Sequence, residues 1–380
     1  MRVLVVLPFS PQPEGGAAAR CAVGLLRGLR ALGLDCQALA AEEDPSPTPL
    51  PPDLQVEIVP IREPSNARAR YERLTNPGGA LGRGEFARRL RARAADVDVV
   101  HYFDIRAAAA HRVVTHPAVL QIDCLTLRDR RIRTLWRRED RIAIELLRAE
   151  RRARRHARWL LANSAEVAAE LRAGHNRTQI TVAPLTLDPA AYPRRATLER
   201  PVAGLIGTAR WPPTANAVQR LLSAVWPRVL ERRPDARLVL AGRGMHAAAF
   251  GAHAHQPGIE WRGEVPSAGE LLGELGLLLY PLTAGSGMKV KVLESLALGL
   301  PVVSTPDGAE GLIDRGGVFV ETDDQRIADA ALALIEDAEL RAAAGARAHE
   351  NFMRHHTPTA VAATVAELYE RMLASTRPAR

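Results

Sequence analysis

The chain has 380 residues, of which 47% are hydrophobic and 25% charged, with a formal net charge of +8. That length asks for two domains, and that composition buries a sizeable core and excludes a disordered or fibrous chain. No apolar run approaches the roughly 18 residues of a membrane span, and the opening run stops at Pro8, short of the centre of a signal peptide.

From the N-terminus, residues 3–7 read as a buried strand, and a Gly15-Gly16 turn then opens a helix. Its Ala22, Leu25, Leu26, Leu29 and Leu32 fall at helical spacing before Gly33 ends it. Further strands are predicted at 55–59, 97–101, 119–122, 159–162 and 180–182, with helical stretches between several of them. Seven prolines between Pro45 and Pro64 mark an irregular excursion. The turn-rich segment 188–201 reads as a linker. The alternation then restarts with strand 202–206, helix 215–230, strands 237–241 and 276–280, helix 288–298, strand 301–304 and a last helix over 359–373. This β-α alternation predicts an α/β fold of two Rossmann-like, doubly wound domains facing across a cleft. They are placed at residues 1–190 and 201–357, with residues 358–380 returning to pack on the first. Ligands of such sheets sit outside the carboxyl ends of the strands.

Charge is unevenly distributed. Thirteen arginines and five acidic residues lie between Arg128 and Arg158, and this segment alone carries the whole excess. It reads as one long helix with a basic face, open to three interpretations: a solvated surface, contact with an anionic membrane, or nucleic acid. The last is disfavoured by an aromatic content of 4%, with only Trp136 and Trp159 in or beside the stretch to stack bases. The three cysteines, Cys21, Cys36 and Cys124, show no metal-ligand spacing and no disulfide framework. The protein reads as cytoplasmic, with peripheral placement on the inner face of a membrane through the basic segment as the variant.

Only two residues are lysine, Lys289 and Lys291, in a chain with 49 arginines. A lysine kept against that bias points to work for a compact ammonium. Both fall in the strongest local pattern, residues 280–301, where an apolar strand runs into Gly285, Ser286, Gly287 and Met288 before a helix begins. Amide groups at a helix start attract phosphate, and glycine lets it approach closely. Cations in a first helical turn are unfavourable unless an anion is held there. An ordinary strand-loop-helix with solvated lysines is the plain alternative. Glu294, one turn on, is placed to accept two ribose hydroxyls or, alternatively, to pair with a lysine on its own helix.

Residues 285–300 and the following 301–312 resemble the nucleotide-sugar signature of glycosyltransferase family 4, retaining enzymes of the GT-B fold. The resemblance extends to residues 207–216, 238–244 and 259–265, and in the first half to Gly15-Gly16 and 161–164. It departs from the family at Ser286, where the first of two spaced glutamates usually stands, and at Thr208 and 212–214, where the family carries basic residues. The turn at 184–188 also differs. The resemblance implies a nucleotide-sugar-dependent transferase of the hexosyl type that works with retention. Its diphosphate charge would fall to Lys291 chiefly, with Lys289 reaching from the loop side, Arg210, and the backbone of residues 285–288. Gly15, Gly16 and Val265 complete the donor site, and Glu294 takes the ribose. The departing phosphate itself would take the acceptor proton, so no metal and no separate cofactor is expected.

In the first half, His101 and Asp123 close predicted strands, where polar groups can meet a sugar; a structural hydrogen bond at a strand end is the alternative for each. The expected partners are a nucleotide-sugar donor, an acceptor of unknown class and an anionic membrane surface at the basic segment, with no nucleic acid. A sugar-nucleotide epimerase of the same bilobal fold, or an anion-binding protein resting on the basic segment alone, are the competing functions.

Overall fold

A computed structural model describes residues 1–43, 49–61, 81–130, 132, 138–173, 178–194 and 201–376. The chain divides into two compact units, Met1–Asp188 with Thr357–Arg380, and Pro189–His356.

The first unit is built on seven parallel strands: β1 (Arg2–Leu7), β2 (Asp35–Glu42), β3 (Val56–Pro60), β4 (Val99–Tyr102), β5 (Ala118–Ile122), β6 (Trp159–Ala162) and β7 (Gln179–Val182). Their spatial order is β3-β2-β1-β4-β5-β6-β7, so the winding reverses between β1 and β4. Alternate residues of the central strands face opposite sides of the sheet. Leu4, Val6, Val100, Tyr102, Leu120 and Ile122 lie in the core of one side, with Phe86, Leu90, Val167 and Leu171 from the helices covering it. On the other side lie the helix Ala17–Ala31 and the terminal helix Pro358–Thr376, which pack on each other. Their approach is close: a Cβ on Gly28 would stand 2.1 Å from the Pro358 carbonyl oxygen, so any side chain there would force the helices apart. Gly33, at φ 79, supplies the left-handed residue that ends the first helix.

The second unit repeats the plan with β8 (Ala203–Ile206), β9 (Leu238–Ala241), β10 (Ile259–Gly263), β11 (Leu277–Tyr280), β12 (Val302–Ser304) and β13 (Val318–Val320). All pairings are parallel, in the order β10-β9-β8-β11-β12-β13, and the reversal falls between β8 and β11. The predicted helix over 215–230 is a helix Pro212–Arg220, a π-helical turn Leu221–Val225 and a helix Trp226–Arg232 in succession. The helices Asp324–Glu336 and Ala338–His355 have Asp323 and Asp337 as caps, each carboxylate accepting first-turn amides.

The basic segment is not one helix. A short turn, Thr126–Asp129, ends where Arg130 turns extended (φ -139, ψ 136), and the long helix is Arg138–His156. Trp136 lies outside the described residues. Leu32, counted on the buried face of the first helix, is 41% exposed.

Candidate functional site

In the second unit the candidate residues gather at the carboxyl ends of β8 and β11, the reversal point where doubly wound sheets leave a crevice. After Tyr280 the chain enters the loop that carries Gly285 at φ 128 and Gly287 at φ 68, left-handed conformations that favour glycine. Ser286 and Met288 between and after them are buried. The helix Val290–Leu298 follows, with Lys289 at its N-cap and Lys291 as its second residue. It ends on Gly299, again left-handed.

The two lysines part company here. The Lys291 ammonium lies 5.0 Å from the ring centre of Tyr280 and 5.5 Å from that of Trp211, an aromatic shelf that favours a cation while leaving it half-exposed. Its Cε passes 3.2 Å from the place a Cβ on Gly207 would take, just after β8. Thr214 and Tyr280 fix that shelf from below through a buried hydroxyl contact of 3.2 Å.

Lys289 turns inward and corrects the expectation that it reaches a phosphate or sugar. Its side chain is 2% exposed, its ammonium donates to the Gly287 carbonyl, and the Glu310 carboxylate is 3.9 Å away. The other Glu310 oxygen accepts the Gly287 amide at 2.9 Å. Lys289 and Glu310 therefore grip both polar groups of Gly287 and set the shape of the loop. The Gly287 amide is engaged by a carboxylate, which reduces the backbone cradle expected over residues 285–288. Glu310 belongs to the segment that carries the family resemblance, but spacing alone assigns it no role.

Glu294 is buried, 3% exposed, and one of its oxygens accepts from the Tyr192 hydroxyl at 3.0 Å. A tyrosine of the segment read as a linker thus holds this carboxylate. Tyr192 carried no sequence signal beyond its place among prolines. Arg210 is exposed in the turn ahead of the helix Pro212–Arg220, and Val265 is half-buried in the loop after β10.

In the first unit Gly15 and Gly16 precede the helix Ala17–Ala31, with Gly16 as its N-cap. Arg20 donates to the Gly15 carbonyl at 2.5 Å and closes the turn. At the carboxyl end of β4, Asp104 is held at φ 77, ψ 145, a backbone conformation that side chains rarely adopt. Arg106 holds it there: both oxygens of the Asp104 carboxylate accept from the guanidinium, at 3.0 and 2.9 Å, and one also accepts the Arg106 amide at 2.8 Å.

Asp123 follows β5 and is half-buried. Both its oxygens accept from the Gln121 amide at 2.9 Å, and its backbone carbonyl accepts from Asn163 at 2.9 Å. Burial pushes the carboxyl up to about 7, against the Gln121 hydrogen bond that lowers it, and the nearby Asp104 charge adds to the rise. His101 does not present itself to a ligand as expected. It is fully buried in β4, with Nδ1 2.6 Å from the Tyr369 hydroxyl and Nε2 3.0 Å from the Gln121 oxygen. Burial pulls its pKa down to about 4, so the ring is neutral at pH 7.

Residues 200–337 match the family model described as "Glycosyl transferases group 1". No curated protein matches the chain. Among solved structures, the chain is similar to sucrose-phosphate synthase of Thermosynechococcus elongatus, at 13% identity and TM-score 0.71, covering 99% of this chain and 100% of that one. It is also similar to HepE of Anabaena in complex with UDP and glucose, at 16% identity and TM-score 0.66, covering 97% and 99%. A glycosyltransferase of Rickettsia africae gives 13% identity and TM-score 0.64, covering 98% of each chain. The chain has the GT-B fold, and within it residues 200–337 are those that match the group 1 glycosyltransferase model.

Proposed function

We propose that this protein moves a sugar from a nucleotide-diphosphate sugar to an acceptor, with retention at the anomeric carbon, as family 4 glycosyltransferases do. The observation that carries the reading is Lys291: an ammonium set over two aromatic rings in the first turn of a helix, at the reversal point of the second sheet. A cation there opposes the helix dipole unless a polyanion completes the site. HepE, solved with UDP-glucose, supports a donor of that class.

In this reading Lys291 meets the diphosphate with Arg210 and the backbone of the 285–288 loop, and Glu294, steadied by Tyr192, accepts a ribose hydroxyl. Positive charge fixed where the leaving diphosphate gains negative charge is the main catalytic device. The departing phosphate takes the acceptor proton, so the chemistry calls for no metal. In the first unit Asp123 meets a sugar hydroxyl.

Thermal melting with a panel of nucleotide sugars tests the donor assignment. One nucleotide sugar should raise the melting temperature in the wild type and fail to do so in Lys291→Ala. Equal shifts in both proteins would move the diphosphate elsewhere.

The basic helix presents exposed Arg141, Arg148, Arg151 and Arg155 beside Ile142, itself 37% exposed. Mixed cationic and apolar exposure is what an anionic membrane surface binds. Acidic liposomes should retain the protein at low salt and release it steeply as salt rises; no binding at low salt leaves a solvated face.

A further inference from the structure

His101, Gln121 and Asp123 project from one side of the first sheet. His101 pairs in register with Val119, and Gln121 and Asp123 follow at successive two-residue steps. The terminal helix Pro358–Thr376 brings Tyr369 against this side. Four polar groups from β4, β5, the loop after it and the last helix thus form one line: Tyr369 hydroxyl, His101 ring, Gln121 amide, Asp123 carboxylate.

The chemistry of the ends gives the line a direction. In its ionised form the Asp123 carboxyl only accepts, so the Gln121 nitrogen, which reaches both its oxygens, donates to it. The Gln121 oxygen must then accept from Nε2–H of His101. That leaves Nδ1 as a lone pair, which accepts from the Tyr369 hydroxyl. Every donor in the line points toward Asp123, and the histidine is held in its Nε2–H tautomer. Tyr369 and His101 are 0% exposed and Gln121 is 5% exposed, with Phe103 stacked beside the imidazole. Apolar residues in these places would fill the same volume with no polar group to desolvate, so packing alone does not account for the line. Its one half-exposed end is the Asp123 carboxylate, whose backbone is tied separately by Asn163.

We propose that Tyr369, His101 and Gln121 are positioning residues that aim the Asp123 carboxylate at a sugar hydroxyl, which makes the terminal helix part of the acceptor-handling machinery. The proposal rests on the reading above that Asp123 meets a sugar. Losing the Gln121 hydrogen bond leaves the carboxylate free to rotate and harder to ionise. Among the described residues, the other charged and titratable groups around it include Asp104, whose charge is matched by Arg106, the Cys124 thiol, and His101, which is neutral.

Two measurements on the full-length protein test this. The first needs no turnover. In ring-15N-histidine protein at pH 7, His101 should show the Nε2–H tautomer, and Tyr369→Phe should move its Nδ1 resonance toward that of a free ring nitrogen. An Nδ1–H tautomer overturns the proposal. The second is the pH profile of kcat/KM, with UDP-glucose as the first donor probe and the nucleotide sugar chosen by melting as the next. Gln121→Leu should move the acid limb up by about one pH unit, the size of one hydrogen bond to a charged group. Tyr369→Phe should move it the same way by less and lower kcat several-fold, with donor KM unchanged. Melting curves of each variant separate these effects from loss of fold. If Asp123→Asn retains wild-type turnover, the assignment of Asp123 to the site fails. If Asp123→Asn is inactive while Gln121→Leu and Tyr369→Phe keep the wild-type profile, the positioning line fails alone.

Discussion

The two units share a winding scheme, and yet the carboxyl ends of their sheets are furnished in opposite ways. Next to the reversal between β8 and β11, the second unit holds a half-exposed cation on aromatic rings and a loop clamped from beneath by a buried ion pair. Beside the reversal between β1 and β4, the first unit holds a buried line of neutral hydrogen-bonding groups that ends on a carboxylate. One topology therefore carries two electrostatic settings: a cation beside one reversal, and an acceptor of hydrogen bonds beside the other. The strand order fixes where the crevice lies, and the side chains decide what it can hold.

The contrast within the second unit, between two lysines two residues apart, can be broken experimentally. Lys289→Ala should have the largest effect and should show it in stability, because it takes a buried ammonium away from the buried Glu310 carboxylate and from the Gly287 carbonyl. Loss of about 3 kcal/mol or more is expected in chemical denaturation. A variant as stable as wild type would mean that Glu310 finds other support. Lys291→Ala should do the reverse, lowering turnover by about a hundred-fold, the scale of one transition-state donor, with a stability close to wild type. Arg at position 291 should restore only part of it, since a planar fork does not replace a compact ammonium on that shelf.

Smaller effects sharpen the same picture. Glu294→Ala should weaken donor binding about ten-fold, as expected for a lost hydrogen bond to a charged group. Calorimetry that returns unchanged affinity would remove Glu294 from the donor site. Tyr192→Phe removes only the support of that carboxylate and should cost a few-fold in affinity, in line with roughly 1 kcal/mol for a single hydrogen bond. An effect as large as that of Glu294→Ala would show that Tyr192 itself touches the donor.

Much of the architecture was legible in the residues. Dense β-branched and leucine runs marked β1 and β11, and the step from Tyr280 through two glycines to an apolar helix marked the site loop. Asp35–Glu42 escaped notice because its alanines and glutamine carry little strand preference; pairing with β1 and β3 makes it a strand. The short strands Ile259–Gly263 and Val318–Val320 hold only five and three residues, too few to show a period. At the site, the scarcity of lysine pointed to Lys289 and Lys291 alike, and the sequence ranked Lys291 first without showing that Lys289 turns inward. What separates them is direction: the N-cap side chain folds back under its own loop, and the second helical residue points along the shelf. Glu310, Tyr192 and Tyr369 lay 21, 102 and 268 residues from the groups they hold, beyond any local pattern.

The second unit interrupts the first: the terminal helix belongs with Met1–Asp188 but follows Pro189–His356 in the chain. On the ribosome the helix Ala17–Ala31 emerges early, with the surface around Gly28 that Pro358 will cover still open to water. His101 likewise waits for Tyr369. All of the second unit is synthesised before either contact can form, so the second unit can complete its fold first, while the first stays unfinished until its last helix arrives. A chain cut after His356 would keep the whole second unit and leave the first with its imidazole uncovered by Tyr369. The order of synthesis thus completes the part that carries Lys291 before the part that carries Asp123.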